Sequence, residues 1–168
     1  KSPGGRHRGK VFTVKVIGEG DPLEIYTSRD GEVIFKKYSL LGGVEDFAGQ
    51  LCETMSRSTG SICAVTDRDT VIAVAGGGKR ELMGKRITSE LEQIMESRQI
   101  YQYSGEGQAI SVSDSNDRLV ANVAAPILSE GDLLGLVLFI GSGPAAPGDA
   151  EYKLAQTIAA FLGRHMEA

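Results

Sequence analysis

Residues 119–141 read LVANVAAPILSEGDLLGLVLFIG and contain the longest apolar run of the chain, Leu133–Ile140, which Gly135 interrupts. Two runs of strand-forming residues, Leu119–Leu128 and Leu133–Gly141, flank the turn sequence Ser-Glu-Gly-Asp. The pattern predicts two antiparallel strands joined by that turn. The apolar run is far shorter than the roughly 20 residues that cross a bilayer, so no membrane span is expected.

Helical and strand patterns alternate on both sides of this pair of strands. Apolar residues from Val44 to Met55 recur at helical spacing, and Gly60 suits the end of that helix. The predicted elements are a helix from Val44 to Thr59, strands at Ser61–Thr66 and Thr70–Ala75, one helix over roughly Lys79–Ser97, strands at Ile100–Tyr103 and Gln108–Ser113, the pair of strands above, and a last helix from about Asp149. The predicted apolar faces are Leu82, Met83, Ile87, Leu91, Ile94 and Met95 in the middle helix, and Leu154, Ala155, Ile158, Phe161, Leu162 and His165 in the last.

The first 38 residues predict a separate, β-rich region. Strands are expected at Lys10–Ile17, Leu23–Thr27 and Glu32–Tyr38, with a turn at Asp30-Gly31 between the last two. A sheet of three short strands is marginal alone and needs a partner to cover it. We therefore expect an obligate homo-oligomer.

Composition fits an ordinary globular protein, but its charge is uneven. The chain has 168 residues, 41% hydrophobic and 24% charged, with a net charge of −4. Residues 1–38 hold eight basic and five acidic residues, a net +3, whereas residues 39–168 have a net −7. A basic region on an acidic body is typical of nucleic-acid contact, although a solvated basic tail has the same composition. The candidate DNA-contact residues are Arg6, Arg8, Lys10 and Lys15.

A glycine-rich link is the candidate ligand site. Gly76, Gly77, Gly78 and Lys79 lie between a predicted strand and a predicted helix, where backbone N–H groups and a cation could hold an anion. The sequence around them does not match a P-loop, G-x-x-x-x-G-K-[ST]. A flexible link with a solvated basic start is the alternative interpretation.

No pattern predicts catalysis, a metal or a cofactor. Cys52 and Cys63 have apolar neighbours and no C-x-x-C spacing, so we expect both in the core. His7 and His165 are far apart and lack the spacing of a zinc site. A G-x-S-x-G nucleophile turn is absent. Few cysteines and no apolar N-terminal segment predict a reducing, cytoplasmic location.

Residues 19–39, EGDPLEIYTSRDGEVIFKKYS, resemble the second half of an AbrB-type DNA-binding domain. That resemblance implies two chains that exchange β-hairpins to form one barrel, whose basic residues contact DNA. The family's preceding segment, G-R-[IV]-V-[IL]-P-K-E-[IV]-R-R, is replaced here by SPGGRHRGKVFTVKVI at residues 2–17. No DNA-contact residue of the family is therefore transferred to this chain.

Three further stretches lie at residues 67–88, 123–139 and 159–167. They resemble the C-terminal, GAF-like half of the stage V sporulation protein T family. The resemblance implies a GAF domain, a sensory module with a ligand cavity between its sheet and a helix, and it implies dimerisation through the helices at the two ends of that domain. The expected cavity walls are the Gly76–Lys79 link and the strands Gln108–Ser113 and Leu119–Ala125. The stretches are DRDTVIAVAGGGKRELMGKRIT at 67–88, VAAPILSEGDLLGLVLF at 123–139 and AAFLGRHME at 159–167.

The expected fold class is α+β: half of a swapped-hairpin β-barrel at residues 1–39, a linker at 40–43, and a GAF-like antiparallel sheet flanked by helices at 44–168. The expected function is a non-enzymatic, DNA-binding transcription regulator of the sporulation type. Its GAF-like domain would sense an unknown small molecule, mediate assembly into dimers or tetramers, or do both. The alternative is a small-molecule-binding or assembly module that has lost DNA binding.

Overall fold

The chain divides into two compact units, Lys1–Gly43 and Val44–Ala168, which are described separately. The computed structural model describes residues 11–15, 22–27, 33–37 and 45–165.

The N-terminal unit contains a three-stranded antiparallel sheet. Its strands β1 (Val11–Lys15), β2 (Pro22–Thr27) and β3 (Val33–Lys37) follow one another in the order β1-β2-β3. Val11 of β1 pairs with Tyr26 of β2, and Leu23 of β2 pairs with Lys37 of β3. The turn expected at Asp30-Gly31 lies outside the described residues, and hairpin exchange between chains stays a prediction.

The C-terminal unit is a six-stranded antiparallel sheet with helices on both faces, as the predicted α+β class requires. The strand order is β5-β4-β9-β8-β6, and β7 also pairs with β8. Apart from the middle helix, each predicted element is found with bounds that differ by at most three residues. The elements are α1 (Glu45–Thr59), β4 (Ile62–Thr66), β5 (Val71–Ala75), α2 (Lys79–Leu82), α3 (Ser89–Ser97), β6 (Tyr101–Gln102), β7 (Ile110–Ser113), β8 (Asn116–Ser129), β9 (Asp132–Gly141) and α4 (Asp149–His165).

Alternation along β4 and β9 divides the core of this unit into two layers. Ala64 and Leu138 belong to a cluster that also contains Leu91 of α3, so one sheet face is covered by α2 and α3. Side chains of neighbouring residues, such as Cys63, point to the opposite face. There α1 packs on β4 and β5, and α4 packs on β8 and β9. Both faces of the sheet are therefore buried.

The prediction of a single helix over Lys79–Ser97 is wrong, because this segment forms two separate helices, α2 and α3. Gly84 adopts a φ of +78°, which a helix does not allow, and its N–H donates to Val71 O at 2.9 Å. The hydroxyl of Thr88 accepts a bond from Leu91 N at 3.3 Å and so begins a new helix. As a result Met83, predicted on the apolar face, is 40% exposed.

Helix α4 approaches the sheet through small residues. Its buried residues are Ala155, Ala159, Leu162 and Gly163. A Cβ on Gly163 would lie only 2.9 Å from the carbonyl carbon of Leu128, so a side chain there does not fit. The predicted apolar face missed Ala159 and Gly163 and included Phe161 and His165, which the structure exposes.

None of the helices described between residues 45 and 165 has the length and apolar composition that a membrane crossing requires.

Candidate functional site

The predicted glycine link connects the end of β5 to α2. Gly76, Gly77 and Gly78 have φ angles of +90°, +129° and +72°, values that favour glycine over residues with a side chain. The backbone of the link packs closely on β8. A Cβ on Gly78 would lie 3.1 Å from Leu119 Cδ1. Lys79 is exposed. The ligand-binding role of these four residues stays a prediction.

The expected cavity between the sheet and the helix is filled by side chains. Leu82, Leu91 and Val112 are completely buried in the layer between the sheet and α2 and α3. Leu119, on an expected cavity wall, belongs to the same layer. Neither of the two principal cavities found among the described residues is lined by the glycine link.

The larger cavity, about 370 Å³, lies instead at one end of the sheet. We call it the end cavity. Its size falls at the lower end of the range of small-molecule sites. Its walls come from the α1–β4 turn, the end of β9, the following loop and the first turn of α4. They comprise Gly60, Ser61, Ile62, Asn122, Phe139, Ile140, Gly141, Ser142, Gly143, Ala145, Ala146, Pro147 and Glu151.

Two side chains hold the end cavity in shape. The Glu151 carboxylate accepts a bond from Ser61 Oγ at 2.5 Å and another from Gly148 N at 2.9 Å. Asn122 Oδ1 accepts a bond from Ala145 N at 3.1 Å, which ties the loop to β8. Glu151 is the only ionisable residue among the described residues that line the cavity. The cavity therefore disfavours anions and suits a neutral or cationic small molecule.

The sequence prediction missed the end cavity. Asn122 lies within a continuous strand pattern, and Glu151 lies in the first turn of a predicted helix, where an acidic residue is ordinary. Ser61 and Glu151 are 90 positions apart, and nothing local connects them. Only the loop of small residues after Gly141 was visible as a break in the pattern.

Three aromatic rings form a partly exposed surface on α1 and α4, which we call the aromatic surface. The ring centroids of Phe47 and His165 are 5.0 Å apart, and those of Phe47 and Phe161 are 5.8 Å apart. Phe161 is 46% exposed. Phe161 and His165 are exposed, and Phe47 is half-buried.

Both cysteines are buried in the core, as predicted. Cys52 of α1 and Cys63 of β4 are free thiols with no exposed surface. Burial, the largest cause, raises the pKa of each thiol to about 12. Both thiols are therefore protonated near neutral pH, and a protonated thiol is a poor nucleophile.

The remaining predicted site residues are only partly described. Arg6, Arg8 and Lys10 lie outside the described residues. Lys15 ends β1, where its backbone pairs with Pro22. Among the described residues no three His, Cys, Asp or Glu side chains are grouped as metal ligands.

Solved structures with a similar fold include GAF domains. The GAF domain of the Acinetobacter phosphoenolpyruvate-protein phosphotransferase matches 77% of this chain and 82% of its own, at 11% identity and a TM-score of 0.56. The cofactor-binding GAF domain of the nutrient sensor CodY from Clostridium difficile matches 70% and 83%, at 12% identity and a TM-score of 0.51. A type II free methionine-R-sulfoxide reductase from Thermoplasma acidophilum matches 76% and 95%, at 9% identity and a TM-score of 0.55. These likenesses show a GAF-like fold.

The sequence comparisons are more specific. A family profile described as the C-terminal part of stage V sporulation protein T, a transcription factor, matches residues 43–167. The stage V sporulation protein T of Bacillus subtilis (strain 168) is 38% identical over 151 residues, which cover 90% of this chain and 84% of that protein. The chain therefore belongs to the stage V sporulation protein T family of transcription factors.

Proposed function

We propose that this transcription regulator binds DNA through its N-terminal unit, while its GAF-like unit joins copies of the chain and receives a small effector. The observation that carries the proposal is the extent of the match to the Bacillus subtilis relative. It covers 90% of the chain, more than the C-terminal unit alone provides, and so includes part of the basic N-terminal unit.

DNA binding is assigned to the basic N-terminal unit because the C-terminal unit is acidic. Residues 1–38 have a net charge of +3, and the rest of the chain has −7. Each phosphate contact releases counterions, so affinity for duplex DNA should fall steeply as salt rises. Arg6, Arg8, Lys10 and Lys15 are the proposed contacts.

The test is fluorescence anisotropy of the full chain with a mixed-sequence DNA duplex across a salt series. The slope of log K against log salt is negative. Replacing the four proposed contact residues by alanine should make it less steep, by about 0.9 for each phosphate that the protein no longer neutralises. Arg57→Ala/Lys153→Ala, two exposed cations of the C-terminal unit, is the control and should leave the slope unchanged. No binding by the unmodified chain, or a salt-independent affinity, would contradict the proposal.

The aromatic surface supports assembly of the GAF-like unit. A patch containing Phe161, 46% exposed, and Phe47 is a candidate contact between copies of a chain. A two-fold symmetric contact would place the same rings from both copies together. With the hairpin exchange expected for the N-terminal unit, such a contact would permit a tetramer.

The effector is assigned to the end cavity. A molecule that binds there would bridge β4, β8 and α4, the elements that Ser61, Asn122 and Glu151 adjoin or belong to. If the bound molecule prefers one conformation of these elements, its binding would increase the fraction of the regulator in that conformation. Native mass spectrometry of purified chain, with Asn122→Leu as a blocked-cavity control, tests this: a small mass retained by the unmodified chain and absent from the variant supports the assignment. A mass retained by both places the effector elsewhere.

We propose no catalytic role. The raised pKa values of Cys52 and Cys63 argue against thiol chemistry. Thiol labelling near neutral pH should therefore be slow in the folded chain and fast in denaturant. Fast labelling of the folded chain would favour an enzyme.

The second candidate is a binding or assembly module that no longer contacts DNA. The replaced arginine-rich segment at residues 2–17 favours it. A chimera that restores the family segment separates the two: if only the chimera binds DNA, the second candidate is correct.

A further inference from the structure

Half of the ten basic residues of the acidic C-terminal unit lie in one region. α2 contributes two of them, the segment after α2 contributes two, and the start of β8 contributes one. All five are exposed, and the exposed Met83 lies in the same segment, between Arg80 and Lys85. We call this region the basic surface: Lys79, Arg80, Met83, Lys85, Arg86 and Arg118.

Contacts within the unit bring these residues together. Arg118 lies 4.0 Å from Glu81 of α2, which joins the start of β8 to that helix. The segment after α2 pairs with the start of β5, where Lys85 O accepts a bond from Val71 N at 2.9 Å. Arg86 lies 3.7 Å from Glu92. The surface therefore has a fixed backbone beneath it.

Three of the cations have no partner within the described unit. No described carboxylate lies within 4.0 Å of Lys79, Arg80 or Lys85, while Arg86 and Arg118 make only exposed ion pairs. Exposed pairs contribute little to stability, so folding of the unit does not explain this cluster. Met83, in the same segment, is 40% exposed. Methionine and arginine are both enriched at protein interfaces relative to the rest of a protein surface.

We infer that the basic surface docks an acidic, amphipathic segment of another protein. Its carboxylates would pair with Lys79, Arg80 and Lys85, and an apolar side chain would cover Met83. A DNA backbone fits less well, because Glu81 and Glu92 lie within the surface and would repel phosphates. Side chains fill the layer between the sheet and α3, so a small molecule has little room there. A partner protein that binds the outer surface of α2 needs no such space.

The inference is tested with full-length protein and a short fluorescein-labelled peptide of alternating Glu-Glu and Leu-Leu pairs, followed by anisotropy without DNA. Arg80→Ala/Lys85→Ala should weaken binding about five-fold, because two exposed charge pairs can no longer form. Met83→Ser should also weaken it. Arg57→Ala/Lys153→Ala removes equal charge elsewhere and should leave binding unchanged.

The same experiment has three contradicting outcomes. Failure of the unmodified chain to bind the peptide overturns the inference. Equal affinity of Arg80→Ala/Lys85→Ala and Arg57→Ala/Lys153→Ala shows that binding follows net charge alone and also overturns it. If Arg80→Ala/Lys85→Ala weakens binding to the DNA duplex but not to the peptide, the surface is a nucleic-acid contact. The first two outcomes do not depend on whether the N-terminal unit binds DNA.

Discussion

The two faces of the GAF-like sheet are covered in different ways. Beneath α2 and α3 the layer is built of long aliphatic side chains such as Leu82 and Leu91, and these fill the space where a sensory domain of this fold is expected to hold a ligand. Beneath α4 the layer contains Ala155, Ala159 and Gly163, so the helix lies close to the strand. Long side chains therefore fill most of the layer beneath α2 and α3, while the small residues of α4 face the sheet and its Phe161 and His165 lie exposed on the other side.

The largest effect on stability is expected from emptying part of the aliphatic layer. Leu91→Ala should lower the free energy of unfolding by about 3 kcal/mol, because the removed side chain is fully buried and leaves a cavity. Met83→Ala, in the same region but exposed, should change it by less than about 0.5 kcal/mol. Urea unfolding measures both. Similar small losses in the two variants would mean that the layer is loosely packed and able to admit a ligand.

The close approach of α4 is tested by adding one methyl group. Gly163→Ala should cost about 2 kcal/mol, because the new Cβ would press on the Leu128 carbonyl. Gly49→Ala is the matched control in α1, where no atom lies within 4 Å of the new Cβ. That change should stabilise the unit by about 0.5–1 kcal/mol through helix propensity. Stabilisation by both substitutions would contradict the close contact.

The break between α2 and α3 depends on Thr88, which lies beneath the aliphatic face. Thr88→Ala should lower the free energy of unfolding by about 1–2 kcal/mol, since it removes the cap of α3 and the bond that Thr88 Oγ1 donates to Ser111 O at 2.9 Å. Ser89→Ala, at the exposed neighbouring hydroxyl, serves as the control and should be nearly neutral. Thermal and urea unfolding measure both variants. If Thr88→Ala lowers the free energy of unfolding no more than Ser89→Ala does, the cap does not position α3.

The smallest effect on stability is expected at the aromatic surface. Phe161→Ser should lower the free energy of unfolding measured at low concentration by only about 1 kcal/mol, because nearly half of the residue is exposed. It should nevertheless raise the dissociation constant of self-association measured by sedimentation. Gln156→Ser, an exposed position elsewhere on α4, should change neither quantity. An unchanged dissociation constant for Phe161→Ser would remove α4 from the assembly proposal.

Local patterns predicted most elements but not how they pack. Strands β8 and β9 were evident because their apolar runs and the turn at Glu130-Gly131 are contiguous in sequence. The run Lys79–Ser97 has helical spacing throughout, and its break depends on bonds from Gly84 to Val71 and from Thr88 to Ser111, which are tertiary contacts.

The candidate sites were harder to predict for the same reason. The spacing of apolar residues in α4 does not show which side of the helix is buried. The aromatic residues and the small residues both recur at intervals that fit one side of a helix. Only the closeness of Leu128 to Gly163 decides which side turns inward. Likewise, the end cavity depends on the bond between Ser61 and Glu151, residues from opposite ends of the unit.

The pairing of β4 with β9 has a consequence for biosynthesis. Strand β4 pairs with β9, from Ile62 with Ile140 to Thr66 with Leu136. In the sheet, β9 lies between β4 and β8. During translation the β4–β5 hairpin therefore emerges long before the strand that covers its other edge. Contacts between distant parts of a chain form slowly, and until they form the exposed strand edge invites aggregation. A chain whose synthesis ended before Asp132 would lack β9. The edges of β4 and β8 that pair with β9 would then stay exposed.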